Sequence, residues 1–176
     1  LDMMAEDNYT QKTSMSGMNV ADFYNIEKLG LHRQYMYNAL QINNGVYPST
    51  NIPAFSDVAQ MADISSTDWS WAPLLFDMDN DGHRDLFISN GIKRDFRNND
   101  FLIYLEKKYQ EGVRLRKVDL SKHVNDLLDK LPDRKKENYF YLNAGDLNFD
   151  KLKVNQSATY SNGAAYADFD NDGDLD

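Results

Sequence analysis

Asp77-Met78-Asp79-Asn80-Asp81-Gly82-His83-Arg84-Asp85 returns almost unchanged as Asp168-Phe169-Asp170-Asn171-Asp172-Gly173-Asp174-Leu175-Asp176, and both stretches read D-x-D-x-D-G-x-x-D. Carboxylates at positions 1, 3, 5 and 9, with a glycine at 6 for the sharp reversal, make an oxygen cage for a hard cation. The backbone carbonyl of position 7 adds a ligand. The expected ligands are therefore Asp77, Asp79, Asp81, His83 and Asp85 in the first loop, and Asp168, Asp170, Asp172, Asp174 and Asp176 in the second. So many carboxylates in nine residues repel one another unless a cation cancels their charge, and calcium is the natural occupant. A solvated acidic turn is the alternative for one copy, but two copies matching at five fixed positions disfavour it.

The flanks decide the architecture around the loops. An EF-hand needs a bidentate Glu at position 12 and helices on both sides. Position 12 of the first loop is Ile88, inside the β-rich run Leu86-Phe87-Ile88-Ser89, and Leu74-Leu75-Phe76 precede the loop behind Pro73. A calcium loop between two β-strands remains, with Asp85 closing the cage.

Further out, Tyr35, Tyr37, Ala39 and Leu40-Gln41-Ile42 suggest a strand from Gln34 onward, Asn43-Asn44-Gly45 a turn, and Phe55-Ser56-Asp57-Val58 a second strand. Thr67 to Phe76 then runs into the first loop. The same plan returns in Tyr139-Phe140-Tyr141-Leu142-Asn143-Ala144-Gly145, Phe149, and Ser161 to Ala167 before the second loop. The repeating unit reads strand, turn, strand, strand, metal loop, strand. Between the copies, Asn99 and Asp100 are candidate caps of a helix carrying Phe101, Tyr104, Leu105 and Tyr109. Ser121 is a candidate cap of a second, whose Val124, Leu127, Leu128 and Leu131 follow helical spacing until Pro132. Residues 1–30 show no sustained period, and only one short helical turn is expected there, near Val20 to Leu29. The chain thus divides into an irregular lead, 1–34; a first β unit, 35–97; a helical insertion, 98–136; and a second β unit, 137–176. It opens on Leu1 and closes on a metal-loop residue, so it is expected to be a piece of a longer protein, with the second loop the weaker one.

The formal charge is -9, with 23 Asp against 5 Glu, and mean hydropathy is -0.68. Basic runs such as Arg134-Lys135-Lys136 are short and flanked by acids, which argues against a nucleic-acid partner. No cysteine is present, which removes thiolate chemistry and disulfides. No apolar run approaches the length of a membrane-spanning helix. His32, His83 and His123 stand far apart without a neighbouring nucleophile motif, and the clustered Asp residues are committed to metal. Trp69 and Trp71 share one face of an expected strand, where packing is favoured over stacking on a sugar.

In these residues the chain resembles the FG-GAP/VCBS repeat proteins, whose blades are similar to those of integrin α-chain propellers, and especially the cartilage-acidic-protein-like branch found on bacterial surfaces. The resemblance rests on Asn43-Asn44-Gly45, Phe55, Thr67 to Trp71, the Asp77 loop, Asn143-Ala144-Gly145, Phe149, Asn162 to Ala165 and the Asp168 loop. His83-Arg84 in the first loop departs from the family pattern, and so does the helical insertion. The resemblance implies a mainly β fold, part of a β-propeller of about two blades. It also implies two structural Ca2+ sites and a non-catalytic role in adhesion or interaction at the cell surface or outside the cell, associated with an outer membrane. The expected partner is a protein or glycan, met through loops or the helical insertion. The alternative is a scaffold or substrate platform within a larger secreted enzyme acting on carbohydrates or phosphoesters; a calcium sensor is third.

Overall fold

A computed structural model describes residues 1–14, 20–33, 35–114 and 124–175. Expectations for Gln34, Ser121, His123 and Asp176 lie outside these residues. The chain forms two compact units: Leu1–Met4, Met36–Gly91 and Lys136–Asp176 make the first, and Ala5–Tyr35 with Ile92–Lys135 the second.

The first unit holds all the strands: β1 (Gln41–Val46), β2 (Pro53–Asp57), β3 (Ser70–Phe76), β4 (Asp85–Asn90), β5 (Tyr139–Asn143) and β6 (Phe149–Lys151). They form two antiparallel sheets, a β1-β2 hairpin and a four-stranded sheet in the order β3-β4-β5-β6. The sequence repeat is therefore out of step with the sheets. In the four-stranded sheet, the metal-loop hairpin β3-β4 of the first repeat joins the hairpin β5-β6 of the second. Phe76 pairs with Asp85, and Leu86, Phe87 and Ile88 pair with Tyr141, Phe140 and Tyr139.

β4 is an inner strand and is buried along almost its whole length, because it has neighbours on both sides. Leu86 and Ile88 form the core with Tyr139, Tyr141, Ala59, Ala62 and Ile64, and Leu40 and Phe149 pack against it. Burying a side chain such as Ile88 stabilises the unit by about 1.5–3 kcal/mol. β3 lies at the sheet edge and alternates, leaving Trp71, Pro73 and Leu75 exposed. Trp71 is 44% exposed rather than packed away, because its indole Nε1 is held at the rim by the carbonyl of Gly91, at 2.7 Å.

Asn43-Asn44-Gly45 is a bulge inside β1 rather than the expected turn. The pairing shifts register between Asn43 and Val46, Gly45 has φ +86°, and its N–H donates to Asn43 Oδ1 at 2.8 Å. The chain reverses later, where Tyr47 N–H donates to the carbonyl of Ile52 at 2.9 Å. The expected strand over Ser161 to Ala167 does not form either. β3 is a strand because β4 returns alongside it, and residues 161–167 have no such partner strand among the described residues. Just before that stretch Thr159 pairs with Lys136 in an isolated bridge, and Ser161 N–H donates to the carbonyl of Asn90 at 2.9 Å.

Polar side chains tie the strand ends together. Asn38 Nδ2 reaches Thr67 Oγ1 at 2.5 Å, Thr67 Oγ1 meets Ser70 Oγ at 2.8 Å, and Ser70 Oγ donates to Asn90 Oδ1 at 2.9 Å. Asn90 N–H then donates to Asn138 Oδ1 at 3.0 Å, and Asn138 Nδ2 to Ser161 Oγ at 3.2 Å. Because these groups are largely buried, losing one member would strand its partner at a cost of about 1–3 kcal/mol. Asp68, 1% exposed, is paired with Lys136 Nζ at 2.9 Å.

The second unit holds α1 (Asn8–Ser14), α2 (Val20–Lys28), α3 (Asn99–Arg114) and α4 (Val124–Lys130). α2 forms where a short helical turn was expected, near Val20 to Leu29, and α1 is a further helix that the irregular lead did not signal. The cap of α1 is Asp7, whose Oδ1 accepts from Thr10 N–H at 2.8 Å. α3 is capped one residue earlier than expected, by Asn98, whose Oδ1 accepts from Asp100 and Phe101 at 3.0 and 3.2 Å. Ile92 bridges Arg134, and the Arg134 guanidinium pairs with buried Asp95 at 2.6 Å. No described helix is long and apolar enough to cross a membrane.

Candidate metal centre

The first loop turns through two left-handed residues, Asn80 at φ +58° and Gly82 at φ +88°. Asn tolerates this region and glycine enters it freely, so the D-N-D-G order makes the chain curl around its own carboxylates. The Asp77 carboxylate accepts from Asp81 N–H at 3.0 Å and Gly82 N–H at 2.9 Å. Asp81 Oδ1 accepts from His83 N–H at 2.7 Å.

The second loop repeats the scaffold ninety-one residues on (Asp77 to Asp168). Asn171 is at φ +61° and Gly173 at φ +99°. The Asp168 carboxylate accepts from Asp172 N–H at 3.1 Å and Gly173 N–H at 3.0 Å, and Asp172 Oδ1 from Asp174 N–H at 3.0 Å. The geometry follows from the residues alone, since a strand precedes the first loop and irregular chain the second.

Asp77, Asp79 and Asp85 bring carboxylate oxygens within 4.8 Å of one another, and so do Asp168, Asp170 and Asp172. Two oxygens on opposite sides of a calcium ion stand about 4.6–5.2 Å apart, so both groupings fit its shell. At 4.8 Å, two carboxylates repel by about 1 kcal/mol in water and about 3.5 kcal/mol at an effective dielectric constant of 20. A divalent cation would reverse that sign.

The groupings do not take in every residue singled out by spacing. Asp81 is exposed and turned to the His83 amide. His83 is exposed, with its ring beside Gly145. Asp174 stands outside the second group, its Oδ1 accepting from Asn80 Nδ2 of the first loop at 2.8 Å. That link and the stack of Phe76 on Tyr166, centroids 4.7 Å apart, place the two loops side by side.

Asp85 differs from the other carboxylates in being fully buried. Its Oδ2 accepts from Met78 N–H at 2.7 Å and its Oδ1 from Asn143 N–H at 2.8 Å, while Asn143 Nδ2 donates to the carbonyl of Arg84 at 3.0 Å. The last carboxylate of the loop thus also joins β4 to the end of β5. Spacing signals the carboxylate but not this partner, because Asn143 lies beyond the second unit's sequence. The Asn80 contact is likewise not signalled by spacing, since Asn80 is one of the four loop positions with no assigned ligand role.

No protein-family model, curated protein or solved structure matches the chain.

Proposed function

We propose that the chain is a non-catalytic, calcium-stiffened β-repeat module of the FG-GAP/VCBS kind, forming part of a β-propeller. It works at a bacterial cell surface or outside the cell and presents its loops and helical segment to a protein or glycan partner. The observation that carries this reading is the duplication of one turn scaffold: the same carboxylate accepts the same two amides in both loops, with left-handed residues at the same two positions. Such a scaffold preorganises oxygens for a hard cation. The role assigned to the cation is structural, because it would hold β3 and β4 at their turn and draw the two loops together.

Calorimetric titration tests the reading. Calcium is expected to bind with two ions per chain, and Asp77→Ala and Asp168→Ala each to remove one. Saturation at 100 times Kd adds about 2.7 kcal/mol to stability. Melting temperatures that do not change between calcium and a chelator would overturn it.

A further inference from the structure

We propose that the outer edge of β1 is an acceptor for one more antiparallel strand, and that its occupant is an extended segment of β4's chemistry: an Asp followed by apolar residues. The case does not depend on the cation. A shift of one hundred residues lays residues 41–43 of β1 on residues 141–143 of β5, Asn38 on Asn138 and Gly45 on Gly145, and the strands' own hydrogen-bonding groups correspond. Gly45 N–H donates to Asn43 Oδ1 at 2.8 Å, and Gly145 N–H to Asn143 Oδ1 at 3.1 Å. The carbonyls of Leu40 and Phe140 are equivalent acceptors, taking Val58 N–H at 2.9 Å and Leu152 N–H at 2.8 Å, although these donors are ninety-four residues apart because the returning chain is shorter in the second copy.

In an antiparallel strand successive residues direct their N–H and C=O to opposite sides. Leu40 and Phe140 face β2 and β6, so Ala39, Gln41 and Asn43 face away from β2, as Tyr139, Tyr141 and Asn143 face away from β6. On β5 that side is filled by β4. On β1 no described strand occupies it. Tyr139 and Tyr141 are buried in the core cluster that includes Leu86 and Ile88 of β4, whereas Ala39 and Gln41 are exposed.

The equivalence also fixes the register and the occupant's residue types. Asn143 N–H donates to the Asp85 carboxylate, and apolar Leu86 and Ile88 follow opposite Tyr141 and Tyr139. At the end of β4, Asn90 N–H donates to Asn138 Oδ1 at 3.0 Å, and Asp2 N–H makes the matching bond to Asn38 Oδ1 at 2.7 Å. An incoming strand would therefore place an Asp against the amide of Asn43 and apolar residues opposite Gln41 and Ala39, and would finish beside Asp2. Pairing of this kind draws affinity from main-chain hydrogen bonds and specificity from the alternate side chains.

The probe is a synthetic peptide with the sequence of Ser70 to Gly91, titrated into the whole chain and read by amide hydrogen exchange. Exchange at Ala39, Gln41 and Asn43 is expected to slow at least about tenfold at saturation. Gln41→Pro removes an outward amide without touching the β1-β2 ladder, so it should abolish the protection while the chain stays folded. No protection at about 1 mM peptide, a Kd worth only about 4 kcal/mol, would overturn the proposal. So would protection that survives Gln41→Pro. Protection that rises with chain concentration in the absence of peptide would make the occupant a second copy and overturn the strand assignment.

Discussion

Asp85 carries two tasks that the other loop carboxylates do not. It stands in the grouping that could hold a cation, and it satisfies the amides of Met78 and Asn143 from a fully buried position. Alanine there leaves two N–H donors without a partner, so Asp85→Ala is expected to cost about 2–4 kcal/mol even with chelator present. Asp79→Ala, at an exposed position, should stay within about 0.5 kcal/mol under the same conditions. Urea denaturation of both variants in chelator checks the contrast. Equal costs would mean that Asp85 acts only through the metal. The loop residues were the most legible part of the sequence because an i-to-i+8 cage is local and its turn chemistry lies in its own letters. Asn80 and Asn143 were not legible, because their partners lie ninety-four and fifty-eight residues away.

Among the elements, strand identity was easier to read than pairing. The β-rich runs at Ser70–Phe76, Asp85–Asn90 and Tyr139–Asn143 form strands, but alternation says nothing about which strand lies beside which. The first repeat runs from β1 to β4 in sequence, and the structure splits these strands two and two between its sheets. Asn43-Asn44-Gly45 shows the same limit, since Gly45 supplies the positive φ that a turn and a bulge both need. Gly91 is a clearer case. It has φ +108°, and a Cβ there would run into the backbone of Thr159, the bridge residue that exchanges hydrogen bonds with Lys136 at 2.9 and 3.1 Å. Gly91→Ala is expected to destabilise the chain by about 1–3 kcal/mol through backbone strain alone. Hydrogen exchange at Thr159 and Lys136 should rise with it, and a variant that melts and exchanges like the parent would show that the contact yields freely.

Across the whole molecule, both candidate loops belong to one compact unit and all four described helices to the other. If calcium binds the loops of the folded state only, it stabilises one unit and leaves the other alone. Differential scanning calorimetry is expected to resolve two transitions, of which calcium raises one. A single transition that moves as a whole would show that the units unfold together.

The neighbours β4 and β5 are separated in sequence by the entire stretch Ile92–Lys135. For an unstructured excursion, ring closure would be charged against the pairing, with each doubling of length adding about 0.6 kcal/mol. The Ile92–Arg134 bridge and the Asp95–Arg134 ion pair hold the ends of that stretch together. With those contacts made, the loop that the β4–β5 pairing has to close is a short one, and the entropy cost of closing it falls accordingly.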